Sequence, residues 1–262
     1  MLKGYTKQEI SWMMYDWANS AHSVIIVTLL PIFFDTVAGY TADSVSSMST
    51  WGYATSIAML IVALAAPFLG VFGDIRGMRK KLFSFFMLLG VAACAGMAFT
   101  PGMNFTSGPV AAGKVASLIL VLYIVSVIGF DASAIYYDAF LTDVTTEDRM
   151  DKVSTMGYGL GYIGGSTIPL LIFLIMNLVG VPMLTCLAFV FGLTAVWWLA
   201  FSLPLLKNCE QTSGKPYEKG DVARSIKGVG TTIKEIIANK PMLIYILSYF
   251  FYIDPVSYVR EE

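Results

Sequence analysis

Charge is scarce in this sequence: Asp, Glu, Lys and Arg make up only 13% of 262 residues, against roughly a quarter in soluble domains. A chain so poor in charge cannot cover a water-facing surface, so its solvent is the bilayer. Histidine occurs once, at His22, and cysteine three times, at Cys94, Cys186 and Cys209. Cys94 and Cys186 fall inside apolar runs and Cys209 in a polar loop, which is neither a disulfide framework nor a ligand cluster. There is no HExxH, no GxSxG and no Walker lysine loop. No enzyme chemistry, metal, cofactor or nucleic-acid partner is therefore expected. No cleavable signal peptide is expected either. The first apolar run is too long, carries Asp16 and Asn19, and is followed by no cleavage-like site.

What the chain does have is length of apolar run, with 56% hydrophobic residues. Six full spans are expected, at about 12–34, 48–72, 82–99, 115–141, 153–178 and 182–206. Each approaches or exceeds the roughly 20 residues needed to cross the hydrocarbon core. A backbone in lipid must satisfy its own hydrogen bonds, so each span is read as a helix. Pro31, Pro67 and Pro169 lie within these spans or near their ends. A seventh run starts at Pro241 and fades near Ile253, too short to cross unaided. The organisation expected is a transmembrane bundle over 1–206, a polar linker over 207–240, and an incomplete seventh helix with an aberrant C-terminus over 241–262. Residues 221–239 suit an amphipathic helix striped by Val222, Ile226, Val229, Ile233, Ile236 and Ile237. A solvated linker is the alternative.

The stretch GVFGDIRGMRKK, residues 70–81, organises the rest. It joins two membrane-length runs and packs Arg76, Arg79, Lys80 and Lys81 into one short connection, which predicts a helical hairpin with a tight basic turn. Gly73 and Gly77 are expected to take backbone angles that a side chain would forbid. Positive charge prefers the cytoplasmic side. With this turn inside, every Lys and Arg except Lys114 and Arg260 falls on the same side. The N-terminus is then expected in the cytoplasm of a cell (plasma) membrane.

Few residues in the spans carry chemistry. Asp16, Asn19, Ser20 and Ser23 recur at i, i+3, i+4 and i+7, one face of a helix, with His22 beside it. Two readings fit: a polar helix start that packs on its neighbours, or one wall of a central cavity. Asp131 and Asp138 lie seven residues apart in the fourth span, with Tyr136 and Tyr137 between them. Intramembrane carboxylates face a bundle interior or a watery cavity and often handle ions or protons. Asp131 is the deeper and the better candidate, with a structural carboxylate as the alternative. Asp138 could instead pair with basic residues. Gly157, Gly161 and Gly165 repeat every four residues and make a groove for close helix packing. Tyr158 and Tyr162 flank it. The candidate substrate or proton pathway is thus Asp16, Asn19, His22, Asp131, Tyr137, Asp138, Tyr158 and Tyr162.

Gly70, Asp74, Gly77, Arg79 and Lys80 resemble the signature between the second and third helices of the major facilitator superfamily, with departures at Ile75 and Met78. YDWANSA, at 15–21, is similar to the opening of the subfamily that includes the fungal autophagy-related vacuolar amino-acid effluxer and its bacterial relatives. YYDAFLTDV (136–144), GYGLGYIGG (157–165) and YFFYID (249–254) are similar to its later landmarks. Asp138 stands where its relatives are expected to have Asn.

The resemblance implies an all-α integral membrane protein. It would be the six-helix N-terminal bundle of a major facilitator fold, two three-helix inverted repeats, plus the start of a seventh helix. It implies a permease or effluxer of a small solute, with amino acids as the class, working by alternating access; proton coupling is the further expectation that the intramembrane carboxylates raise. It also implies a second six-helix bundle as partner, from a missing C-terminal half or another chain, since this chain reads as truncated or split. A non-transporting membrane fragment or assembly partner is the competing expectation. In the superfamily the acidic residue of the turn meets a helix start in the second bundle, and here Arg79 and Asp143 would complete a charge network around Asp74.

Overall fold

The computed structural model describes residues 4–41, 47–216 and 220–248. The YFFYID landmark and the ending beyond it lie outside the described residues, as do Lys3, Asp43 and Lys219. Among the described residues, six helices are long and apolar enough to cross a membrane.

Helix α1 (Lys7–Ala38) starts on a capping box: the Thr6 hydroxyl accepts from the Glu9 backbone N–H, and the Glu9 carboxylate accepts from that of Thr6. Two otherwise orphaned donors are satisfied at once. Helix α2 (Ser47–Gly73) turns through the basic stretch into α3 (Arg79–Met97), which a 3-10 turn (Thr100–Gly102) extends. Helix α4 (Pro109–Val144) opens on proline, whose missing N–H costs nothing in a first helical turn. The fifth crossing is composite: α5 (Met150–Leu160), a π-helical turn (Gly161–Ser166) and α6 (Thr167–Leu178). Helix α7 (Met183–Asn208) closes the bundle.

Helices α1 and α4 outrun their expected spans the most, and by the same length, because apolarity ends at the membrane surface while the backbone ladder continues past it. Residues up to Pro216 form one compact unit. A second begins at Tyr217 and holds α8 (Asp221–Ala238); residues 240–248 are also helical. Among the stripe residues, the side chains of Val222, Ile226, Val229 and Ile233 lie outside the described part.

Two contacts show how the bundle closes. Helices α3 and α4 meet at Gly90 and Gly129, where a Cβ on Gly129 would stand 2.5 Å from the Gly90 nitrogen. Backbones this close are available only to small residues. The fully buried Trp198 ring of α7 lies over Gly90. Its indole N–H donates to the Tyr15 hydroxyl (3.4 Å), which in turn pairs with Ser133 of α4 (2.7 Å). One polar chain thus ties α7, α1 and α4 together inside an apolar core.

Cys209 opens the polar loop after α7 as expected, yet it is fully buried there: its thiol donates to the Gln8 carbonyl, and burial pushes that thiol up to about 12. One expectation needs correction. Gly73 takes an ordinary helical conformation, and among the expected pair only Gly77 has positive φ, at 80°. Gly73 is small for another reason: a Cβ there would lie 3.0 Å from the Tyr136 ring.

Candidate functional site

A cleft of about 330 Å³ opens between α1, α4 and the fifth crossing. Asp16, Asn19, Ser20 and Ser23 of α1 form one wall, Tyr158, Tyr162 and Ser166 the other, and Phe130 of α4 contributes between them. The polar face predicted for α1 is this wall. It comes so close to the fifth crossing because that crossing has almost no side chains there. A Cβ on Gly157 would meet the Asp16 carboxylate at 2.5 Å, and one on Gly161 the Ser20 hydroxyl at 2.6 Å. Gly165 packs on the Trp17 carbonyl and Ser20. Gly164, which the four-residue repeat passes over, receives the Trp17 ring.

Three glycines within Gly161–Ser166 weaken the α-helical preference, and the turn widens into π geometry. The Thr167 hydroxyl donates to the Tyr162 carbonyl five residues back (2.8 Å). Tyr158 and Tyr162 pair hydroxyl to hydroxyl at 3.2 Å, with rings at 71° and centroids 4.9 Å apart.

The remaining pathway candidates are placed differently. Tyr137 is buried behind Asp16, stacked on Trp12 with ring centroids 4.3 Å apart. Its hydroxyl finds no partner of hydrogen-bonding geometry among the described residues and lies next to the Asp16 carboxylate. His22 does not line the cleft. It is buried behind Phe130, stacked at 4.8 Å, with Nε2 3.3 Å from the Ser126 hydroxyl. One position separates it from the polar face, and about 100° of helical rotation turns it into the core.

Asp131 lies off the cleft wall, near Tyr123, with one carboxylate oxygen buried and unpaired among the described residues. Asp138 is exposed and makes no ion pair among the described residues. It does lie within electrostatic range of Tyr15, Asp16 and Tyr137.

The basic turn is built with a piece of chain the sequence did not suggest. Arg79 is buried; its guanidinium donates to the Asp143 carboxylate and the Ala139 carbonyl (2.9 Å), and approaches Asp74 at 3.9 Å. Residues 211–215 strap across this group. The Gln211 side-chain oxygen accepts from the Gly77 and Arg79 backbones (2.8 and 3.2 Å), and its amide donates to the Gly73 carbonyl (3.0 Å). One side chain thereby caps the end of α2 and the start of α3. Thr212 and Ser213 donate backbone N–H groups to Asp143 (3.0 and 2.8 Å), and Lys215 pairs with Asp74 and Arg76 through the backbone. The Asp74 side chain stays 83% exposed. Gly70 has open space where a Cβ would stand, and Lys80 is half-buried on the first turn of α3.

At the same end lies a second cluster that the motif reading did not single out. Arg149 grips the buried Glu9 carboxylate with two 2.9 Å bonds, and the Thr145 hydroxyl adds a third at 2.7 Å. The T-x-x-E pattern at 6–9 was the available signal for Glu9. Nothing local pointed to Arg149.

A family profile described as "Vacuole effluxer Atg22 like" matches residues 5–150 and 142–260. The "Uncharacterized MFS-type transporter YxiO" of Bacillus subtilis (strain 168) is 39% identical over 265 residues. That alignment takes in 98% of this chain and 59% of the relative, so the chain spans little more than half the relative's length. The six crossings, the basic hairpin turn and the glycine-lined cleft agree with a major facilitator bundle. The chain belongs to the vacuole effluxer Atg22-like family.

Proposed function

We propose that this chain supplies one bundle of a major facilitator transporter, which moves a small solute by alternating access against a second six-helix bundle. The observation that carries the reading is the cleft: a carboxylate, an amide and hydroxyls on one wall and two tyrosines on the other, within an otherwise apolar membrane bundle. Unpaired polar groups facing lipid are costly, and such a surface is suited to a watery pathway. Amino acids are the solute class the resemblance implies. Residues 1–206 act as the transport bundle, 207–240 as the link to the second bundle, and 241 onward as the beginning of that bundle. Asp131 is the proposed proton site. The exposed Asp74 side chain is available to a helix N-terminus of the second bundle, where a carboxylate gains about 0.3–1 kcal/mol. The basic end faces the cytoplasm of the cell membrane.

Uptake of labelled amino acids into vesicles carrying the chain, with and without a co-expressed second bundle, tests the reading. Transport is expected to require the second bundle and to fall at least about tenfold in Asp16→Asn, with the protein still in the membrane. Unchanged transport in Asp16→Asn overturns the pathway. Asp131→Asn is expected to flatten the pH dependence. Reporter fusions after Lys80 and Lys152 are expected inside and one at Thr106 outside; an inside report at Thr106 overturns the topology.

A further inference from the structure

We infer that the cleft recognises solutes by a primary ammonium group and that this bundle offers no anchor for a carboxylate. The inference rests on the transport pathway proposed above and names what that pathway selects. Asp16 presents its carboxylate to the cleft, and no Lys or Arg pairs with it among the described residues. A carboxylate in low dielectric calls for a countercharge. The other walls say which kind. Tyr158 and Tyr162 both line the cleft, their rings at 71° to one another, and Phe130 brings a third ring. Aromatic faces attract organic ammonium ions, whereas a small hydrated metal ion needs a cage of oxygen or nitrogen ligands. No cluster of three His, Cys, Asp or Glu able to hold a metal exists among the described residues.

The hydrogen-bonding inventory agrees. An alkylammonium brings three donors and no acceptor. The hydroxyls of Ser20 and Ser23 and the amide oxygen of Asn19 all accept. Ser20 already donates its proton to the Asp16 carbonyl (2.6 Å), which leaves its lone pairs to the cleft. Behind Asp16, the buried Tyr137 hydroxyl has no other partner among the described residues, and it is positioned to hold the carboxylate in place. An amino acid therefore finds its ammonium end matched here. Its carboxylate meets no cationic side chain on the described wall, so a simple amine satisfies this site as well as an amino acid does.

The test uses the full chain in phosphatidylglycerol vesicles in amine-free buffer, with tryptophan fluorescence or equilibrium dialysis as readout. Propylammonium is expected to bind saturably, and propanol and propionate at least about tenfold more weakly. Alanine is expected to bind no tighter than propylammonium. Asp16→Asn is expected to abolish the preference. Tyr162→Leu, at a half-exposed position outside the core, is expected to weaken propylammonium several-fold without unfolding the protein. Repeating the titration in phosphatidylethanolamine vesicles separates two sources of the same group: lost binding assigns the ammonium to the lipid headgroup, and retained binding to a soluble amine. Propionate or propanol binding as tightly as propylammonium overturns the inference, as does wild-type affinity in both variants. Alanine binding tenfold tighter overturns the claim of a missing carboxylate anchor. If Asp16→Asn stops transport but no ammonium preference is found, the pathway stands and this inference alone falls.

Discussion

Helices α1 and α2 look alike as apolar membrane spans, yet half of the most apolar window of α1 is buried in the bundle, against 11% of that of α2. Hydropathy therefore did not choose which helix became central. Lipid is as apolar as leucine, so moving a leucine from lipid to protein gains little. What draws a helix inward is the presence of groups that lipid cannot serve and of partners that let it approach closely. Helix α1 has both: Tyr15, Asn19 and His22 need hydrogen-bonding partners, and the glycines of the fifth crossing accept its surface. Helix α2 turns Leu60 and Leu64 outward, at 59% and 65% exposure.

The largest effect that would break this contrast is at the glycine seat of α1. In Gly165→Leu the new side chain must push into the Trp17 backbone, where nothing flexible can yield. A loss of about 3 kcal/mol or outright failure to fold is expected, read by thermal melting in detergent. A variant as stable as the parent would mean that α1 is not held by close packing.

A smaller loss is expected from Glu9→Ala, which removes the capping box and frees Arg149 from its carboxylate. The cap alone contributes about 1 kcal/mol. Arg149 can turn to water, so the total is expected to stay well below the effect at Gly165. A melting temperature unchanged within error would show that α1 does not depend on its first turn.

Smaller again is Leu64→Ala on the outward face of α2. A change within about 0.5 kcal/mol is expected, since lipid fills the space. A loss of more than about 2 kcal/mol would mean that this face packs against protein.

The smallest expected effect is no reaction at all. Cys209 rests on the first turn of α1 with a thiol raised to about 12. At pH 7 to 9 it stays protonated, and the thiolate that reacts with maleimide forms only near the folded value. Labelling of Cys209 is expected to be negligible and flat across this range until the protein is denatured. A cysteine placed at Met48, 69% exposed at the start of α2, is expected to label rapidly. Fast labelling of native Cys209 would show the seam between α1 and the end of α7 to be open.

The basic end carries a similar lesson. Arg79 and Asp143 were expected to meet, and they do. Gln211 caps the same turn from more than 130 positions away in the chain, and no local pattern marks it. A glutamine in a polar segment signals only a loop until a partner is in view. His22 is the opposite case: a residue type that suggests chemistry, removed from the cleft by one step of helical rotation.

What the sequence by itself determined is what depends on neighbours in the chain. Runs of apolar residues must become helices in lipid, because the backbone has no other way to satisfy its hydrogen bonds. The short basic connection at 70–81 therefore had to be a hairpin, and Asp16, Asn19, Ser20 and Ser23 had to share a face. What only the tertiary structure decided is which faces meet. Glu9 and Arg149 lie 140 positions apart, the segment at 211–215 straps a turn near residue 75, and Cys209 disappears beneath α1. Close packing between helices depends on shape across the gap. That is why Gly164 seats the Trp17 ring, a contact that neither residue specifies alone.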